Sequence, residues 1–380
     1  MASDDSRGPI IGALMAILIV GASAVTATAT TRDTMRLIFE ALSVVFPLSL
    51  DRAAFEDPSQ RARIHDALQS LSLGADNLAA HGESLGPTHE YVRRSLVVDA
   101  HDVLDSYEQG RFDTTRFLLQ EMTGACFACH SKLPAEQQFD MGARFTQEPH
   151  VRRLSLAQRA RLEVATRQFE SALRTYEQLF EEYPLDANRA NVGLAVEEYL
   201  KIAIRVHGDF DRPIATLGQL EDRADVPPYL REEIAAWSAA LRELERRERT
   251  DNLLEQARAL IQEAERRADY PMDPRGLVHY MLASSLLNRY LYSEHHPAES
   301  AEAFYLLGVA ESHFSSSYWL AETEFFLEQA IRLEPGTTLA RRAYITLEEH
   351  VVAAYTGSTG VHVPEDVRTH LAELRALAHR

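Results

Sequence analysis

The chain has 380 residues, 46% of them hydrophobic and 25% charged, too apolar for a disordered protein and enough for two or three folded domains. Glycine (17) and proline (15) are scarce, so long helices are expected and a many-turned all-β fold is not. With 39 basic and 57 acidic residues the formal net charge is -18. Such a surface repels phosphate backbones, arguing against a nucleic-acid partner and for a basic protein partner.

Residues 9–29, from Pro9 to Ala29, carry no charge. The apolar core, Pro9 to Val20, has the length of a signal-peptide h-region, and Ala22-Ser23-Ala24 and Ala27-Thr28-Ala29 both fit the small-x-small pattern before a cleavage site. The n-region is not basic, since Asp4 and Asp5 oppose Arg7. The uncharged run is also about 20 residues, the length that spans a bilayer. Residues 1–30 are therefore read as an export segment, either a cleaved signal peptide or a retained membrane anchor.

Four helices are expected next. The first, over 31–48, repeats Met35, Ile38, Leu42 and Val45 at three- and four-residue intervals. The second opens at Asp57-Pro58, an N-cap followed by proline at the first helical position, carries Ile64, Leu68, Leu71, Ala75 and Leu78, and ends at His81-Gly82. The third opens at Gly86-Pro87, carries Leu96, Ala100, Val103 and Tyr107, and ends near Gly110. The fourth runs from Asp113 through Leu118, Met122 and Ala125. Four-three stripes joined by short connections predict an antiparallel up-down-up-down bundle over residues 31–135.

The fourth helix ends in Cys126-Phe127-Ala128-Cys129-His130, which contains both cysteines of the chain. Cys-x-x-Cys-His is the attachment pattern of c-type haem: two thiols add across the porphyrin vinyl groups, and the adjacent imidazole is placed at the iron. The expected cofactor is one covalent haem c on Cys126 and Cys129, with His130 as proximal ligand. A dithiol redox site shares the spacing but belongs on a thioredoxin-like βαβ pattern, which is absent. A structural zinc site needs two further ligands, and no second cysteine pair exists.

A four-helix segment of about a hundred residues with this motif near the end of its fourth helix resembles the class II c-type cytochromes, the cytochrome c-prime and cytochrome c-556 group. The resemblance covers about residues 31–135. It implies a haem inside the bundle, His130 as proximal ligand, and a sixth iron position held by a first-helix methionine in electron-transfer members or covered by an apolar side chain in gas-binding ones. Met35 lies where that methionine is expected, with a core thioether as the other reading. His65, His81, His89 and His101 are the alternative ligands, each read otherwise as a surface or boundary histidine. Met122, one turn before Cys126, is expected in the core. The tail Ser131-Lys132-Leu133-Pro134 departs from the family's basic-aromatic ending.

Residues 136–156 read as a linker and 157–380 as helix after helix. Residues 172–184 and 326–335 look like second helices of tetratricopeptide repeats, and Ala303–Ala310, with Leu307-Gly308, looks like a first helix. Helices at 187–206, 211–223, 228–248, 251–268 and 276–293 complete a divergent α-solenoid. The His295-His296 pair reads as loop histidines. No phosphate loop and no catalytic constellation stands out. Only two basic residues are lysines, Lys132 and Lys201, taken as a coding bias.

The expected protein is all-α: an N-terminal apolar helix, a four-helix cytochrome domain and a tetratricopeptide-like solenoid. It is expected to be an exported monohaem electron carrier and not an enzyme, on the periplasmic side of a bacterial inner membrane, with its repeats docking protein redox partners or a membrane complex. The alternatives are a five-coordinate gas-binding sensor and a structural subunit of a membrane redox complex.

Overall fold

The computed structural model describes residues 30–380 except 82–86, 133–139, 150, 183–188, 248–249, 271, 294–296, 315–320 and 359. The apolar segment 1–29 and the His295-His296 pair lie outside the described residues. Among those described, the chain is helical throughout, apart from a two-stranded antiparallel ladder of Thr356–Gly357 with Gly360–Val361. No described helix is long and apolar enough to cross a membrane.

Helix α1 (Thr31–Ser49) begins with a capping box. Thr30 Oγ1 accepts from the Asp33 amide at 3.2 Å, and Asp33 accepts from the Thr30 amide at 3.3 Å, satisfying two donors the helix itself cannot. A short α2 (Arg52–Glu56) and a 3-10 turn at Pro58–Gln60 lead into α3 (Arg61–His81). Helices α4 (Pro87–Glu108) and α5 (Phe112–His130) follow. The packing pairs are α1 with α3, α3 with α4, α4 with α5 and α5 with α1, so four antiparallel neighbours close a ring. The expected stripes meet at its centre: Ile38 and Val45, Ile64, Leu68 and Leu71, Ala100 and Val103, and Leu119 with Met122 form one buried cluster.

The stretch read as a linker is not loose. It carries α6 (Asp140–Phe145) and a 3-10 turn, Val151–Arg153. Phe145 and Val151 pack with Phe46 of α1 and Leu162 of α7 (Leu156–Ala165) in a small separate core, and the Phe39 and Phe145 rings meet edge to face at 5.5 Å. A Cβ on Gly142 would stand 2.7 Å from the Thr166 carbonyl oxygen; only glycine lets α6 approach the end of α7 this closely.

The remainder is a run of helices: α8 (Phe169–Glu182), α9 (Arg189–Lys201), α10 (Asp211–Glu221), α11 (Pro228–Glu245), α12 (Leu253–Arg267), α13 (Leu277–Tyr292), α14 (Pro297–Glu311), α15 (Glu322–Leu333), α16 (Thr338–Ala354) and α17 (Glu365–Ala378). Most sequential neighbours pack on each other, α14 with α15 most extensively. The helix expected over 187–206 divides: α9 stops at Lys201 and a π-helical turn, Ile202–His207, continues it. The bundle and this array touch directly. Phe127 of α5 belongs to the array's core, and Tyr91 of α4 stacks on Phe325 of α15 at 4.4 Å between ring centroids.

Candidate functional site

On α5 the residues Leu119, Met122, Cys126 and His130 follow one another at three- and four-residue steps, so they share a face. That face meets Met35, Ile38, Phe39 and Leu42 of α1 across a cavity of about 510 Å³. Phe145, Leu162 and Arg167 close its far wall. Three of the four residues singled out from the sequence, Met35, Cys126 and His130, thus line one space. Cys129 is not part of its lining; the charges that bear on it are those of Glu322, Arg93, Lys132 and Arg167.

The cavity lies off the bundle axis. The ring's centre is filled by Ile38, Val45, Leu68, Leu71 and Leu119, all essentially inaccessible to solvent. The resemblance implies a cofactor within the bundle. The space here opens instead along the α1–α5 seam, with α6 and α7 as its outer wall. Met122 is buried in the bundle core, as expected, and also reaches the cavity.

Burial pushes the Cys126 thiol up to about 12, with Cys129 adding to the effect, and pushes Cys129 up to about 11, with Glu322 adding. Both are protonated thiols at neutral pH. This is the opposite of the lowered value that an attacking dithiol site requires.

His130 is held down to about 4 by burial first and then by the Arg167 guanidinium, against hydrogen bonds to the backbone of Val164 and Ala165. The imidazole is therefore neutral at pH 7. Its Nδ1 is buried and has no hydrogen-bond partner, while the ring bonds to the α7 backbone. A neutral ring oriented by a backbone carbonyl, with a lone pair left over, is the state a metal-ligating histidine must adopt.

The wall residue Arg167 sits in the left-handed region, φ 58°. It follows α7, and its amide donates to the Val164 carbonyl at 2.8 Å. This is a helix C-terminal turn occupied by arginine where glycine is usual. Arg32 joins it at the cavity edge, so two guanidinium groups border a space whose lining is otherwise largely apolar, with the hydroxyls of Thr31, Ser43, Thr123 and Thr166 among it.

The alternative histidines separate cleanly. His65 accompanies Glu108 at 3.2 Å and His101 accompanies Asp76 at 3.1 Å, both on the surface and outside the cavity. His89 corrects its reading as a boundary residue: it is buried in the first turn of α4, and its charge bears on His130. The His81 side chain lies outside the described residues.

Sequence reasoning missed the outer wall. Phe145 lay in the presumed linker, Leu162 on an unremarkable stripe, and Arg167 among many arginines. The one available signal was the aromatic-containing Phe145-Thr146 step inside a polar stretch. Comparison with models of protein families, with curated proteins and with solved structures found no match.

Proposed function

We propose that the chain is a monohaem c-type cytochrome of class II character, an electron carrier joined to a helical-repeat domain. The observation that carries this reading is the shared cavity: the first cysteine and the histidine of the Cys-x-x-Cys-His motif line a space of about 510 Å³ together with Met35. The volume falls within the range of cofactor sites, and the lone pair of the buried, unpartnered His130 Nδ1 suits a ligand that fills it. The residues fit the group.

Cys126 and Cys129 would hold the haem covalently, His130 would be the proximal ligand and Met35 the sixth. When bound, the haem supplies a one-electron iron couple. The chain's own residues do the rest. His130 stays neutral because burial and Arg167 disfavour its protonation, so its lone pair is kept at neutral pH. Phe39, Leu42 and Leu162 exclude water from the cavity and lower the local polarity. Arg32 and Arg167 place positive charge at its border, where acidic substituents of a porphyrin would be compensated.

The same reading includes export by residues 1–30, placement on the periplasmic side of a bacterial inner membrane, cleaved or anchored, and repeats that dock redox partners or a membrane complex. The Leu307-Gly308 pair supports the repeat assignment. A Cβ on Gly308 would stand 2.6 Å from Leu327 Cγ, so α14 and α15 cross at the glycine as paired repeat helices do.

A five-coordinate gas-binding protein is the second reading. It is favoured by Ile38, Phe39 and Leu42, the apolar neighbours that could cover the iron in place of Met35.

The test is production in a host with haem c maturation, followed by mass measurement of the denatured chain. One added haem is expected, lost in Cys126→Ala/Cys129→Ala. A denatured chain without the increment overturns the reading.

A further inference from the structure

A cavity of about 160 Å³ opens within the helical array, between the π-helical turn Ile202–His207 and helices α11, α12 and α13. It takes no residue from the bundle. Five consecutive residues, 204–208, line it, so the widened turn forms one wall, and Gly208 at φ 63° ends that wall. Such turns are frequent at functional sites.

The buried part of the lining is apolar. Leu244, Leu260 and Leu286 come from the three helices and are 2–7% exposed, and Leu282 adds a half-buried side chain. The exposed part is cationic: Arg247 and Arg289 both line the cavity and both reach solvent. No aspartate or glutamate is among the described residues that line it, in a chain with 57 acidic residues against 39 basic.

Neither of these guanidinium groups is committed elsewhere. Among the described residues no carboxylate pairs with Arg247 or Arg289, whereas Arg212, Arg258 and Arg332 of the same array each hold a glutamate at 2.6–2.8 Å. Glu243, one turn before Arg247, is held by Arg267 at 2.6 Å. Arg289 has Ser285, Leu286, Tyr292 and Ser293 at its three- and four-residue positions, and none of these can neutralise it. The third lining arginine, Arg205, is taken up by Glu311 at 3.0 Å.

Two accessible, unpaired guanidinium groups beside a small apolar recess are complementary to an amphiphilic anion. The charge of such a ligand stays at the solvent edge, and only its apolar body leaves water. A cavity of about 150 Å³ lined by apolar side chains accommodates benzene, so the body that fits here is about one ring in size.

We propose that this cavity binds a small organic anion, a carboxylate or phosphate carried on an apolar body about the size of a benzene ring. The oxyanion accepts from Arg247 and Arg289, and the body packs against Leu244, Leu260 and Leu286. Hydrogen bonds from guanidinium to an oxyanion are charge-assisted and can be bidentate, so the head group sets selectivity. Because these arginines remain partly hydrated, the head group alone binds weakly, and burial of the apolar body supplies the rest. The site does not depend on the haem reading.

The experiment is calorimetric titration of the full chain at low ionic strength with benzoate, phenyl phosphate, benzyl alcohol, acetate and inorganic phosphate. At least one of the first two binds, and the alcohol and the two ions without an apolar body each bind at least tenfold more weakly. The tighter of benzoate and phenyl phosphate identifies the head group. Arg247→Gln and Arg289→Gln each weaken that ligand at least fivefold. Both side chains are exposed and unpaired, so the variants keep the wild-type unfolding temperature, which thermal unfolding checks. Arg246→Gln, at an exposed arginine outside the lining, leaves binding unchanged. Absence of binding by both benzoate and phenyl phosphate, equal binding of benzyl alcohol, or a loss in Arg246→Gln as large as in the two lining variants overturns the proposal.

Discussion

Lys132 Nζ lies 3.4 Å from Glu311 Oε1, across 179 residues of sequence. Lys132 follows the Cys126–His130 motif by two positions, and Glu311 ends α14. The pair therefore fixes the motif-bearing end of the bundle to the helical array. Both partners are buried, so removing one leaves an uncompensated charge in the interior. Lys132→Met should cost about 3 kcal/mol, the low end for a broken buried pair because Arg205 still serves Glu311. A denaturant midpoint measured beside wild type reads the loss, and adding Glu322→Gln, which removes the carboxylate that Lys132 otherwise pairs at 3.1 Å, should recover part of it. A Lys132→Met midpoint equal to wild type would show that the contact contributes nothing to stability.

Glu311 also sets an acid limit. Burial opposes its charge, but Arg205 and Lys132, with Ser284 donating, hold its carboxyl down to about 2 from an ordinary 4.5. A carboxylate lowered on folding stabilises the protein above its unfolded value, and that stability is lost as pH falls through the folded value. Stability should therefore decline between pH 4.5 and 2. In Glu311→Gln this part of the decline should disappear, as read from denaturant midpoints across that range.

His279 acts in a higher window. It is fully buried on α13 with neither ring nitrogen partnered, and burial, then Arg267, holds it down to about 4 from 6.5. The unfolded chain binds this proton more readily, so stability is complete above pH 6.5 and falls as pH drops toward 4. The shift corresponds to about 3 kcal/mol at most, at about 1.4 kcal/mol per unit. His279→Leu should flatten the stability slope between pH 6.5 and 4 while leaving the Glu311 window in place. A slope unchanged in the variant would assign the effect to other groups, His313 among them, whose ring stacks on Tyr280 at 3.8 Å.

Close helix crossing gives a third kind of test. Any β-carbon at Gly308 meets Leu327 Cγ and Cδ2 at 2.6–2.7 Å. Gly308→Ala should destabilise by about 1–3 kcal/mol, the usual cost of overpacking a core, despite alanine's higher helix propensity. Thermal unfolding compared with Gly218→Ala, on α10 where a β-carbon meets nothing, separates packing from propensity: the first should fall and the second should not.

Local pattern made much of this architecture legible. The stripes Ile38–Val45, Ile64–Leu71 and Leu96–Val103 face one core because each helix has only one apolar side to bury. The helices after 187 were equally plain, and most ends agree within three residues. The π-helical turn was not legible. Ile202, Ala203, Ile204 and Val206 are apolar in a row, and a segment buried on all sides carries no period to read. The charges around Glu311 were hidden for another reason. Lys132, Lys201 and Arg205 look like solvated residues until α14 and α15 fold over them. His89 was misread because a histidine in a first helical turn usually faces water, whereas here it is buried and near enough to His130 for its charge to act there. The α6–α7 wall of the cavity depends on contacts between distant segments, which no single stretch encodes.

Met35 stands on α1 and His130 on α5, and both line the same space. Helix α1 is fixed there by its Thr30–Asp33 capping box and by Ile38 and Val45 in the core, so the backbone that carries Met35 is held in place beside the cavity. With haem attached, a Met/His pair raises the reduction potential relative to a site without the thioether. Met35→Ala should lower that potential, convert the reduced spectrum from low to high spin and admit carbon monoxide. Wild type should exclude carbon monoxide at the same concentration. His89→Ala should leave the wild-type spectrum unchanged, since that imidazole lies on α4 and not in the cavity lining. If instead Met35→Ala remains low-spin and His89→Ala becomes high-spin, the sixth ligand is His89. High-spin reduced iron in the wild-type protein itself would place the chain with the gas-binding proteins, because an apolar α1 face would then cover an open coordination position.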